Sequence, residues 1–124
     1  MPLIYSLIEA PSHPDFSRLY QRLGLEHLRL TSSRKAMAEL KKRPPDFVVA
    51  EFFYGYGNNY AGVNVSNLDV FLHSLRKYAP GARVIVLVSR TDLPHVDKLK
   101  ALFDLHAVLV QPVAGAAMAE ALQV

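Results

Sequence analysis

The chain contains no cysteine, which excludes disulfides, thiolate metal sites and cysteine nucleophiles together. No apolar run approaches the ~20 residues that a membrane-spanning helix needs. The apolar start, residues 2–8, lacks a basic flank and a small-residue cleavage site, so it reads as a first strand and not as a signal peptide; a cytoplasmic location is expected, with no membrane partner. Neither sign of charge predominates, with 14 Lys and Arg against 11 Asp and Glu. The formal net charge is +3 and the pI near 9.3, too small a basic excess to make nucleic acid an expected partner. The glycines form neither a G-x-G-x-x-G nor a P-loop pattern, so a phosphate-cradling nucleotide loop is not expected.

What is present is the composition of one globular domain: 124 residues, 51% hydrophobic and 20% charged. The densest basic cluster, Arg34, Lys35, Lys41, Lys42 and Arg43, falls mostly on one predicted helix with Glu39 among it. That reads as a solvated helix face. No aromatic residue interleaves with it, so a stacking platform for single strands is not supported.

The segments alternate strand and helix. Strands are predicted over residues 3–8, 27–30, 47–52, 83–89 and 107–110. The third and fourth are almost continuously apolar, as strands buried on both faces of a parallel sheet are. Ser12 or Asp15 caps a first helix that runs to Leu23, and Gly24 closes it. Thr31 or Ser32 caps a second helix over 33–43, with Ala36, Met37 and Leu40 at helical spacing, before Pro44-Pro45. A third helix starts near Asn67 and carries Leu68, Phe71, Leu72 and Leu75 towards Pro80-Gly81. A fourth, over 94–103, presents Val96, Leu99, Leu102 and Phe103, with Asp92 and His95 as capping residues. A short alanine-rich helix, 113–122, ends the chain. Five alternations in this length predict a three-layer α/β sandwich around a five-stranded parallel sheet in the flavodoxin-like order 2-1-3-4-5.

The third strand ends in Glu51. In an open parallel sheet, ligands gather at the carboxyl edge beside the point where strand order reverses. Pro45-Asp46 opening this strand, Val84-Ile85-Val86-Leu87 in the fourth, and Val108-Leu109-Val110-Gln111-Pro112 in the fifth resemble a response-regulator receiver (CheY-like) domain over essentially the whole chain. The resemblance implies that Glu51 stands where the family carries its phospho-acceptor aspartate. It implies a cis peptide at Gln111–Pro112, and it places Glu9 in the acidic region that binds Mg²⁺.

The parts of receiver chemistry are altered at nearly every position. Glu51 is one methylene longer than aspartate, and in-line transfer tolerates positional errors of about an ångström poorly. Glu9 and Glu51 alone make a poor Mg²⁺ site. The switch hydroxyl of the family falls at Val88, with Ser89 the next residue. The family's lysine is replaced by Gln111, a neutral amide that cannot neutralise a transferred charge. Its aromatic switch falls at Val108. The chain therefore reads as a degenerate pseudo-receiver that is not an enzyme, needs no cofactor, and acts through a protein partner. Glu51 itself could be a solvated strand end, a carboxylate held by nearby backbone, or a permanent imitation of the phosphorylated state.

Residues 53–66 are rich in Tyr, Gly and Asn and exceed the usual βα loop of about 2–6 residues. They leave the sheet over the same edge. Tyr54, Tyr56, Asn58, Asn59 and Tyr60 are the candidate contacts of a partner- or ligand-binding loop. A flavodoxin-like small-molecule site there is the alternative function, although residues 9–14 lack the glycines and hydroxyls of a flavin phosphate loop. The five histidines have no metal-ligand spacing. The fourth helix, fifth strand and weakly charged fifth helix form the family's usual partner surface and are the candidate homodimer face.

Overall fold

The computed structural model describes residues 2–8, 15–54 and 68–122. Five strands, β1 (Leu3–Leu7), β2 (Glu26–Leu30), β3 (Phe47–Glu51), β4 (Arg83–Val88) and β5 (Ala107–Val110), alternate with five helices, α1 (Ser17–Arg22), α2 (Ser33–Leu40), α3 (Asp69–Tyr78), α4 (Val96–Lys100) and α5 (Gly115–Ala121). All neighbouring strands are parallel, in the order β2-β1-β3-β4-β5, as predicted. The peptide Gln111–Pro112 is cis.

Strand alternation divides the core in two. Leu3, Tyr5, Leu7, Val48, Ala50, Val84, Val86 and Val88 face α2, α3 and α4. Ile4, Phe47, Val49, Ile85 and Leu87 face α1 and α5, where Leu19, Tyr20, Met118 and Leu122 cover them. Both faces of β3 and β4 are buried, so their runs carry no polar alternation. Strand β5 lies at the sheet edge and is half-buried throughout.

Local chemistry sets the helix ends. Gly24 adopts φ 77°, and the Gly24 and Leu25 N–H groups donate back to the Gln21 and Tyr20 carbonyls. This is the left-handed closure in which glycine has no steric penalty. The Ser32 hydroxyl accepts from the Lys35 N–H at 3.2 Å, capping α2 as expected. Asp15 accepts from the Ser17 N–H at 3.0 Å. Ser12 and Asn67, the other predicted boundary residues, lie outside the described residues.

Helix α2 ends at Leu40, not Arg43, and the cations Lys41, Lys42 and Arg43 sit exposed in the turn beyond it. Arg43 pairs with Glu26 on β2, an exposed ion pair of small energetic weight. The fourth helix is shorter than its pattern predicts. A 3₁₀ turn, Leu93–His95, precedes it, and it ends at Lys100. The N–H groups of Leu102 and Phe103 then both reach the Leu99 carbonyl, at 3.0 Å each. That tightened turn sends Phe103 into the core and leaves Leu102 47% exposed. Among the described residues no helix is long and apolar enough to cross a membrane.

Candidate functional site

The strand order reverses at β1, so the crevice of this sheet opens beyond the carboxyl ends of β1 and β3. Glu51 closes β3 there, paired in register with Leu87. It is only 1% exposed, so it is not a solvated strand end. Its Oε2 accepts a hydrogen bond from the Gln111 Nε2 at 3.1 Å, sixty residues away in sequence and one residue past β5. The backbone ties these ends together. The Phe52 N–H donates to the Leu87 carbonyl and the Gln111 N–H to the Val88 carbonyl, both at 2.8 Å. The site is thus a buried carboxyl group held by a neutral amide.

Strand alternation settles which β4 residue can face it. Glu51 follows Phe47 and Val49 onto the α1–α5 side. Val88 points the other way, fully buried in the α2–α4 core. Ser89 continues the alternation of Ile85 and Leu87, and is half-buried at the edge. Its hydroxyl accepts from the Asp92 N–H at 3.2 Å.

Asp92 and His95 do not cap the helix, contrary to the sequence expectation. Neither makes a side-chain cap hydrogen bond at the start of the 3₁₀ turn or of α4. Both instead hold Tyr54, three residues past Glu51. The Tyr54 N–H donates to Asp92 Oδ2 at 3.3 Å, and its ring stacks on His95 with centroids 3.7 Å apart and planes 10° apart. Lys98 donates to its hydroxyl at 3.0 Å. The base of the loop after β3 is therefore pinned to the start of α4. The partners lie 38 to 44 residues apart, and no sequence pattern links them. Glu9, Tyr56, Asn58, Asn59 and Tyr60 lie outside the described residues.

No family model matches the chain, and no curated protein matches it. Solved structures do. A chemotaxis response regulator of Vibrio cholerae superposes with TM-score 0.74 at 19% identity, over 99% of this chain and 97% of that one. A CheY-like receiver domain protein of Methanospirillum hungatei gives 0.70 at 15%, over 97% and 89%. A receiver domain protein of Clostridium thermocellum gives 0.64 at 19%, over 98% and 90%. This chain has the receiver fold. Glu51 and Gln111 meet at the carboxyl edge, Ser89 and Pro112 follow the carboxyl ends of β4 and β5, Val88 belongs to the core, and Val108 is half-buried on the edge strand.

The receiver fold implies a divalent cation at this edge, and the described residues do not fit one. No three His, Cys, Asp or Glu side chains among them come together to hold a metal ion, and the carboxyl group at the β3 end is engaged by an amide. A second polar pair was not foreseen in the sequence. Ser6, buried in β1, meets His27 Nε2 of β2 at 2.6 Å, and the His27 ring packs edge-on against Tyr20 at 4.8 Å. A hydroxyl in the middle of an apolar strand was the one available signal.

Removing the Gln111 amide takes a donor from a buried carboxyl group. Gln111→Ala is expected to cost about 1–3 kcal/mol, read as a lower urea midpoint at unchanged slope. Gln111→Lys, which restores a donor, should recover most of it. A Gln111→Ala midpoint equal to that of the parent would mean that the bond contributes nothing in solution.

Proposed function

We propose that this domain is a pseudo-receiver, a signalling module that works by phosphorylation-independent contact with a protein partner and not by catalysis. The observation that carries the reading is the Glu51–Gln111 hydrogen bond at the end of β3. Phosphoryl transfer needs an exposed acceptor, a cation to gather the developing charge, and positive charge on the protein side. Here the acid is longer than aspartate, is buried, and is met by an amide without charge. Ser89 stands at the switch-hydroxyl position in this reading, and its oxygen is engaged by the turn that leads to α4. Tyr54, three residues past Glu51, is pinned to Asp92, His95 and Lys98, which ties the end of β3 to the start of α4.

The partner surface in this reading is α4, β5 and α5. An edge strand that is half-buried along its length, beside a helix whose only charge is Glu120, offers small side chains and unpaired strand groups to a second surface. A homodimer through this face is the first form to look for by sedimentation. A monomer at the highest concentration would leave a different protein as the partner. A small-molecule site built on loop 53–66 has Tyr54 as its first aromatic contact, and that ring is already stacked on His95, which weighs against it.

The deciding experiment adds acetyl phosphate or beryllofluoride with Mg²⁺ and follows intact mass and melting temperature. The expected result is no added mass and no stabilisation, because a ligand that does not bind the folded state cannot stabilise it. A phosphoryl adduct on Glu51, or stabilisation that depends on Mg²⁺, would overturn the reading.

A further inference from the structure

Between the carboxyl ends of α3 and α4 the outer layer of the fold leaves a cleft of about 260 Å³. It opens at the amino end of β4, where Val84 forms part of its floor. Glu51 pairs with Leu87, three residues further along that strand, so the cleft lies at the opposite edge of the sheet. It owes its existence to the early end of α4: past Lys100 the chain turns inward through Phe103 instead of continuing as a helix alongside α3.

The floor is apolar. Leu75, Ala79, Val84 and Phe103 line it and are buried, while Leu102 forms an exposed lip. The rim is charged. Arg76 crosses the cleft from α3, donates to the Leu102 carbonyl at 3.2 Å, and lies over the Phe103 ring at 4.9 Å. It also meets His73 Nδ1 at 3.2 Å. These contacts fix the guanidinium in place and use only part of its donor set. Lys100 stands on the α4 side of the mouth, and Asp104 is the one acidic side chain in the lining.

We infer that this cleft docks a short acidic amphipathic segment of a partner protein: one large apolar side chain inserted on the floor, with a carboxylate within a turn of it paired to Arg76 and Lys100. Volume and charge select this occupant. Drug-sized ligands fill about 300–1,000 Å³, and this space is smaller, nearer to what an anchor side chain takes. Interface energy concentrates in such anchors, with a rim that excludes water around them. The rim carries two cations against one acid, so electrostatics favour an acidic flank and disfavour a basic one. A pre-ordered arginine lowers the ordering cost of binding a carboxylate. The inference is independent of the Glu51 site and stands whether or not that site accepts phosphate.

The test is a displayed library of helical peptides, randomised in apolar anchor and in charge of both signs, selected on the immobilised full chain. Two variants accompany it: Lys100→Glu reverses the rim at an exposed position, and Ala79→Trp fills the floor; melting curves establish that each is folded. Selected peptides should carry a Leu- or Phe-like anchor with Asp or Glu within one turn. They should bind roughly tenfold more weakly to Lys100→Glu, and should perturb the amide signals of Leu75, Ala79 and Leu102. Should Ala79→Trp not fold, the Lys100→Glu comparison and the amide map decide alone. No enrichment, enrichment without an acidic bias, equal binding to Lys100→Glu, or amide changes elsewhere would each overturn the inference. So would displacement of the peptide by decanoate, which would make the cleft a small-molecule site, or self-association through the same amides, which would make the occupant a second copy of the chain.

Discussion

Phe71→Ala is expected to lower the stability of the fold by about 3–5 kcal/mol, the usual cost of truncating a buried aromatic ring and leaving a cavity. Phe71 has no solvent exposure and lies at the centre of the core that joins α3 to β3 and β4. A domain of this size has about 5–15 kcal/mol in total, so the loss is a large fraction. At roughly 3–5 °C per kcal/mol for this length, the melting temperature should fall by roughly 10–25 °C. Val70, the preceding residue on α3, is 52% exposed, and Val70→Ala should change stability by less than about 0.5 kcal/mol. The comparison isolates burial, because helix propensity improves slightly in both variants. Urea titration of the pair reads the difference. A Phe71→Ala loss no larger than that of Val70→Ala would mean that α3 is not packed on the sheet as described.

The sheet was legible because its signals are local or near-local. Val84 to Leu87 and Phe47 to Ala50 have no polar alternation, which only a doubly covered strand tolerates. Gly24 and Ser32 announce a helix end and a helix start through the backbone geometry each supports. The helix limits were less legible. Leu99, Leu102 and Phe103 fit a helical pattern equally well whether the last turn is helical or tightened, and the latter exposes Leu102. The position of Glu51 could be read from the strand that it ends. Its surroundings could not, because an acid after an apolar run suits both water and a buried hydrogen bond, and the deciding group, Gln111, arrives just past the end of a different strand. Strand parity then assigns the edge position to Ser89 and takes Val88 into the core. For Tyr54, Asp92, His95 and Lys98 nothing in the chain foretells the cluster, since the sheet brings the chain just past β3 against the 3₁₀ turn and the start of α4.

Alkaline titration offers the other large effect. Burial pushes the Tyr20 phenol up to about 12, and it lies 1% exposed on the inner face of α1. In the unfolded chain a tyrosine ionises near 10. Below pH 10 both states keep the proton and stability does not depend on this group. Between pH 10 and 12 the unfolded state releases it and the folded state does not. The unfolded state then binds fewer protons, and stability falls by about 1.4 kcal/mol per pH unit, or about 3 kcal/mol by pH 12. Tyr5 is raised to about 12 as well, first by burial and then by Glu39, with Arg43 acting the other way. Its loss falls in the same window. Its ring is fully buried and its phenol donates to the Arg43 carbonyl. Lysines titrate in this range too, so the reading is a difference between variants. Tyr20→Phe keeps the ring against His27 and removes the titrating proton. Its stability from pH 9 to 12 should decline less steeply than that of the parent, and Tyr5→Phe/Tyr20→Phe less steeply still. If Tyr20→Phe declines in parallel with the parent, the phenol is reaching water in the folded state and α1 does not seal the face of the sheet that carries Ser6 and His27.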